Sequence, residues 1–232
     1  PVGVDSLDGL FEEMVKDTKD PGTEVHITSL KDDQGSFSHV EFRSYEAMAT
    51  PGIINATVCA AKEGFDAYGI DLSENSISLG REMLDFWGED ADLCVGSMAN
   101  LPYPDNYFDV IFDVFSAYCL DDGVFGECLD EVTRCLKVGG KFFSYTPSSN
   151  SDAFLNYAPS KKIDSWTLDS IKREGSAYSG QDYQFRFISA VHYRSLLEDK
   201  GIRVDYLETV GRTYSGQKEY FEFVTVSGEK EI

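Results

Sequence analysis

Positive charge is scarce in this sequence. Lys and Arg together number 20 against 41 Asp and Glu, a formal net charge of −21 over 232 residues. A field of that sign repels phosphate backbones and anionic membrane surfaces, which argues against nucleic acid as substrate or partner. It fits a strongly charged soluble surface, or a protein that draws in a cationic or amine ligand. Long apolar runs are also missing. No stretch approaches the roughly 18 residues of a membrane span, and PVGVDSLDGL lacks the basic and apolar regions of a signal peptide. A cytoplasmic protein with no membrane partner is the expectation. The five cysteines are odd in number and contain no C-x-x-C pair, while His26, His39 and His192 are scattered. Neither a disulfide framework nor a metal site is indicated. No Ser-His-Asp set, nucleophilic-cysteine motif or Walker loop is visible.

What is present reads as one domain with an adequate core, 42% of its residues being hydrophobic. Residues 6–18 carry apolar positions on one helical face, and residues 19–36 read as loop. From residue 53 the text becomes regular. A helix over 53–63 is closed by Gly64, a short buried strand AYGID covers 67–71, and Ser73 caps a helix over 74–87. Ile77, Leu79, Met83, Leu84, Phe86 and Trp87 are its candidate sheet-packing residues. Strands follow over 91–96 and 107–115, then an amphipathic helix over 125–136, a Val138-Gly139-Gly140 turn and a strand over 141–146. Helices alternating with short apolar strands argue for a Rossmann-like, doubly wound, mostly parallel α/β sheet. Residues 147–182 look like loop with a short helix around Thr167–Arg173. A helix over 189–201 then leads into two strands, 202–210 and 219–227, which predict an antiparallel C-terminal pair.

In open α/β sheets ligands bind outside the carboxyl ends of the strands. Asp71 ends a strand, and its carboxylate suits both hydroxyls of a ribose. It follows Gly52 by 19 residues, close to the spacing of about 20 in the dinucleotide fingerprint. The alternative is a helix-capping role, which Ser73 already fills.

Three stretches in order, FDAYGIDLSENSI, VGSMANLPYPDNYFDVIFDVFSAYCL and LDEVTRCLKVGGKFFSY, resemble the small class I methyltransferases that use S-adenosylmethionine. The resemblance runs over roughly residues 51–146. It implies S-adenosylmethionine as cofactor, S-adenosylhomocysteine as product and methyl transfer to an O or N atom of a small-molecule acceptor. It also implies roles by position. Asp71 matches the residue on the ribose and Leu72 the apolar residue beside the adenine. Gly96-Ser97-Met98 matches the loop at the adenine edge, with Ser97 where the family often has an acid. Asp113, Val114 and Phe115 match the wall beside the methionine part, with Val114 and Phe115 equally readable as core. The organisation so implied is an N-terminal cap and substrate segment (1–50), a cofactor core (51–146), a substrate insert (147–190) and a closing helix and strand pair (191–232).

The first glycine loop breaks the match. The family pattern is a strand running into E/D-x-G-x-G-x-G, whose bare glycines let backbone approach the cofactor. Here the text is Glu46-Ala47-Met48-Ala49-Thr50-Pro51-Gly52, with only Gly52 in register. The upstream HVEFRSYEA would bury Glu41, Arg43 and Glu46 if it were a central strand, at several kcal/mol each unless paired. Residues 38–49 therefore read as a helix, with the first strand and its glycines absent from the chain as written.

For the acceptor, His39 is the candidate base because its pKa lies near neutrality; a structural or exposed histidine is the competing reading. His192 has a weaker claim. Tyr45, Tyr118 and Arg186 are the candidate substrate contacts. Two other classes stay open: a non-catalytic binding or regulatory module with a degenerate loop, and another nucleotide-using Rossmann enzyme. Acceptor identity and oligomeric state are not readable from the sequence.

Overall fold

The computed structural model describes residues 57–231 apart from Cys59 and Ser215, together with the backbone of Thr23–Glu24 and Arg43–Ser44. The chain falls into two compact units, Pro1–Ser97 and Met98–Ile232.

In the first unit, β1 (Thr23–Glu24) pairs antiparallel with β2 (Arg43–Ser44). This corrects two expectations. Thr23–Glu24 is strand where a loop was expected. Arg43 and Ser44 are not in the helix expected over 38–49, because a ladder rung needs extended backbone. The rest of 38–49, and the helix expected over 6–18, lie outside the described residues. Helical residues 60–62 lead to Gly64, whose φ of +86° is the left-handed conformation that glycine adopts without strain. Strand β3 (Tyr68–Asp71) runs parallel to β4 (Asp92–Val95), joined by α1 (Glu74–Trp87). The Ser73 side chain caps α1 by accepting from the Ser76 amide at 3.2 Å. Val58, Ala61 and Ala67 pack with Ile77, Leu84 and Leu93. Gly69 permits this: a Cβ there would lie 2.7 Å from the Leu93 side chain and 2.8 Å from Thr57 Oγ1. Phe86 and Trp87 do not join the core but stand 81% and 51% exposed. Phe86 lies opposite the stripe that Ile77, Gly80 and Leu84 define, whereas Trp87 continues that stripe at the helix end, where the Lys62 ammonium sits 3.6 Å above its ring.

The second unit is built on β5 (Phe108–Val114), α2 (Asp122–Cys135), β6 (Leu136–Pro147), α3 (Asp152–Leu155), β7 (Thr167–Leu168), β8 (Phe185–Arg186), α4 (Ala190–Asp199), β9 (Ile202–Tyr214) and β10 (Glu219–Lys230). Its main sheet has the order β5-β6-β10-β9. Strands β5 and β6 are parallel, whereas β10 is antiparallel to both neighbours. The architecture is thus mixed α/β, with parallel strands followed by an antiparallel C-terminal pair. Strand alternation splits the core between two faces. Phe142, Val224 and Val226 meet Phe125, Leu129 and Val132 of α2 and Tyr193 and Leu197 of α4. Phe143, Tyr145, Phe221 and Phe223 point the other way, onto Phe154, Leu168, Ile171, Phe185 and Phe187.

Helix α2 starts earlier than expected because the Asp121 carboxylate accepts from the Val124 amide at 3.0 Å. The short helix expected around Thr167–Arg173 is instead strand β7, paired antiparallel with β8. One oxygen of Asp164 accepts both the Trp166 and Thr167 amides at 2.8 Å. These bonds take up the donors with which a helix would begin.

Candidate functional site

The first unit offers the end of a parallel strand pair. Asp71 closes β3, and its Oδ1 accepts the Ser73 amide at 2.8 Å. Its other oxygen has no partner among the described residues. Helix capping is done by Ser73, so Asp71 is not needed for it. The Asp71 carbonyl accepts the Gly96 amide at 3.0 Å, which holds the ends of β3 and β4 together. A Cβ on Gly96 would meet the tip of the Ile70 side chain at 2.8 Å, so a larger residue there requires Ile70 to shift. Leu72, the next residue in the chain, is an apolar side chain 68% exposed. Ser97 follows Gly96 and is half-buried.

In the second unit, Met98 is half-buried against the α2–α4 side of the core. The loop that follows it is pinned by α2. Arg134 donates to the carbonyls of Tyr103 at 2.7 Å and Leu101 at 3.0 Å, and pairs with Asp105 at 2.9 Å. Glu131 accepts the Leu101 amide at 2.7 Å and two Arg134 bonds at 2.7 and 2.8 Å. Hydrogen bonding to Arg134 lowers the Glu131 pKa. The i,i+3 spacing of the pair is visible in the sequence; its target loop, some 30 residues upstream, is not.

Asp113, at the end of β5, is bonded through both of its carboxylate oxygens. Its Oδ1 accepts the Ser116 amide at 3.1 Å, the Ala117 amide at 2.9 Å and the Ser116 hydroxyl. Its Oδ2 accepts the Ser144 hydroxyl at 2.9 Å. The carboxylate thus ties the turn after β5 to β6 and starts the 3-10 helix Ala117–Cys119. The turn forces Phe115 to a φ of +51°, a conformation that costs a non-glycine residue of order 1–2 kcal/mol.

Phe115 stands at the centre of an aromatic group. It stacks on Tyr118 at 4.3 Å and touches Tyr178 at 5.0 Å, Phe223 at 5.7 Å and Phe185 at 6.1 Å. Tyr178 also has positive φ, +63°. The Tyr118 and Tyr183 hydroxyls are 3.2 Å apart. Burial, then this hydrogen bond, pushes the Tyr118 pKa far above its usual value, so the phenol stays protonated. Two of the half-buried rings here belong to residues in left-handed backbone, a feature that sequence periodicity does not register.

Arg186 lies elsewhere. On β8 it neighbours Phe185, and alternation turns its side chain away from the aromatic group. It is buried, pairs with Asp122 at 2.8 Å, and stacks 4.2 Å over Phe125. Its place is between β8 and the start of α2. The His192 ring stacks on Trp166 at 4.8 Å. Gly52, His39 and Tyr45 lie outside the described residues. Among the described residues no group of His, Cys, Asp or Glu forms a metal-binding cluster, and no helix is long and apolar enough to cross a membrane.

Residues 51–144 match the family model described as "Methyltransferase domain". Demethylmenaquinone methyltransferase of Bacillus mycoides is 34% identical over 83 residues, which are 35% of this chain and 34% of that protein. The chain thus spans about a third of the length of that curated relative. A SAM-dependent methyltransferase from Methanosarcina mazei superposes with a TM-score of 0.62 at 16% identity, over 75% of this chain and 87% of that one. The Burkholderia thailandensis 1,6-didemethyltoxoflavin-N1-methyltransferase, solved with 1,6-didemethyltoxoflavin and S-adenosylhomocysteine, superposes at 0.56 with 14% identity, over 79% and 69%. The likeness of these structures is one of fold. Together with the matched segment and the strand pattern, it defines a Rossmann-like methyltransferase fold. Over residues 51–144 the chain is thus similar to the methyltransferase domain family.

Proposed function

We propose that the chain transfers the methyl group of S-adenosylmethionine to an O or N atom of a small-molecule acceptor. The observation that carries this reading is Asp71: a carboxylate at the carboxyl end of a parallel strand, with one oxygen held by the Ser73 amide and the exposed Leu72 next in the chain. Those residues fit the adenosine part of the cofactor. Asp71 binds the ribose hydroxyls through its second oxygen, Leu72 covers apolar ring surface, and the Ser97 hydroxyl accepts from the adenine amino group more weakly than a carboxylate would. Gly52 is the proposed backbone approach to the cofactor.

S-adenosylmethionine, when bound, supplies a sulfonium methyl group to an in-line nucleophile. The protein's part is orientation and exclusion of water. Asp113 is a positioning residue, fixing the turn that carries Phe115. The rings of Phe115, Tyr118 and Tyr178 form the proposed apolar wall for the acceptor. Tyr118 stays protonated and is a hydrogen-bond donor, not a base. His39 and Tyr45 are the remaining proposed acceptor contacts, with His39 taking the proton where the acceptor must lose one.

Calorimetric titration with S-adenosylhomocysteine tests the reading. Saturable binding in the micromolar range is expected, weakened at least tenfold by Asp71→Ala while the Ser73-capped helix keeps its melting temperature. Absence of binding by the wild-type chain would point to a non-catalytic module, and binding of NAD(P) in its place to an oxidoreductase.

A further inference from the structure

Strand β9 is an edge strand of 13 residues, and among the described residues it pairs only with β10. Long edges of this kind are templates for further strand pairing unless they are blunted. The register with β10 is regular from Tyr206↔Ser227 to Tyr214↔Glu219; the one irregularity lies beyond it, at Ser227/Gly228. Tyr206, Glu208, Val210, Arg212 and Tyr214 therefore share one face of the strand. Read outward from Val210, this row is symmetric in kind and opposite in charge: acid on one side, base on the other, then tyrosine at both ends. Each half is already organised. The Tyr206 hydroxyl donates to Glu208, and Arg212 Nε donates to the Tyr214 hydroxyl at 2.7 Å. Tyr206 and Val210 are 42% and 40% exposed.

We propose that β9 pairs antiparallel with β9 of a second copy of this chain, with Val210 on the two-fold axis. In that register Val210 faces Val210 of the other copy. Glu208 faces the other copy's Arg212 and Arg212 its Glu208. Tyr206 and Tyr214 face each other on both sides. Residues directly opposite in an antiparallel pair are the ones whose side chains interact, and a two-fold contact presents the same patch on both copies. The arginine keeps its bond to Tyr214, since a guanidinium carries five N–H donors.

Charge is the second argument. With 20 basic and 41 acidic residues, most surfaces of this molecule repel a second copy. Along β9, Arg203 and Arg212 balance Asp205 and Glu208. The strand is thus a neutral stretch on an acidic molecule, and its one acid and one base on the paired face sit where self-pairing brings opposite signs together. Such a contact lies at the small end of the interface range, below about 1,200 Å², so association should depend on concentration.

Sedimentation velocity of the purified chain, from micromolar to several hundred micromolar, should show a monomer–dimer equilibrium. Glu208→Arg alone gives two facing pairs of like charge and should raise the dimer dissociation constant at least tenfold. Arg212→Glu should do the same with the opposite sign. Mixing these two variants restores opposite charges at both contacts, and the double exchange Glu208→Arg/Arg212→Glu restores them within one chain. Both should recover dimer, which also shows that the single variants are folded. The proposal is overturned if the wild-type chain stays monomeric throughout. It is equally overturned if single variants dimerise as the wild type does, or if neither the mixture nor the double exchange recovers association.

Discussion

Asp113 shows how many bonds one carboxylate at a strand end can collect from its own chain. At the end of β5 it stands where the family resemblance puts the cofactor wall, yet both of its oxygens accept bonds from within the chain. Replacing it with alanine strands the Ser116, Ala117 and Ser144 donors and releases the strained Phe115 turn. Urea unfolding should record a loss of about 2–3 kcal/mol. Asp71→Ala, by contrast, leaves Ser73 to cap its helix, and its expected effect is on cofactor affinity. A carboxylate at a strand end was legible in both cases. Its bonding partners were not, because Ser144 reaches Asp113 from a strand 31 residues away. Arg186 makes the same point. It was legible as a candidate substrate contact, whereas its pairing with Asp122 and its place over Phe125 join residues remote in sequence.

Elements were most legible where a cap and a period agree. Ser73 and the spacing of Ile77 and Leu84 define α1. They failed where a side chain bonds the backbone first, as Asp164 does ahead of β7. The end of α1 has its expected bounds, but Phe86 and Trp87 there stay exposed instead of packing. Helix α2 carries a pH-dependent function of its own. Arg134 holds the Glu131 carboxyl below its ordinary pKa, so the pair's contribution is fully present above the unfolded value of about 4.3. It is lost as pH falls through the lower folded value. Glu131→Gln should therefore cost about 1 kcal/mol at neutral pH, the pair being partly exposed. Urea midpoints of wild type and variant should converge well below pH 4.

For the whole molecule, the α/β class was legible from the alternation of helices and short apolar strands, and the antiparallel ending from the last two strands. The order of those strands was not. A hairpin read from sequence is naturally laid against the sheet by its first strand, but here β10 enters between β6 and β9. Phe221 and Phe223 explain why. They are aromatic, buried on one face, and alternate with Val224 and Val226 in layers that match Phe143 and Phe142 of β6. Strand β9, with its outward row of polar and half-exposed residues, has the composition of an edge.

That order constrains how the protein can be made. The free side of β6, residues Lys141–Pro147, is covered by Phe223–Glu229, which leaves the ribosome some eighty residues later. Throughout that interval an apolar strand waits with one flank bare, and nearest-neighbour contacts cannot close it. A nascent chain stalled before Glu219 should therefore remain sensitive to protease around β6, and one released beyond Lys230 should become resistant. Chaperone dependence, if the protein has it, belongs to that window of synthesis.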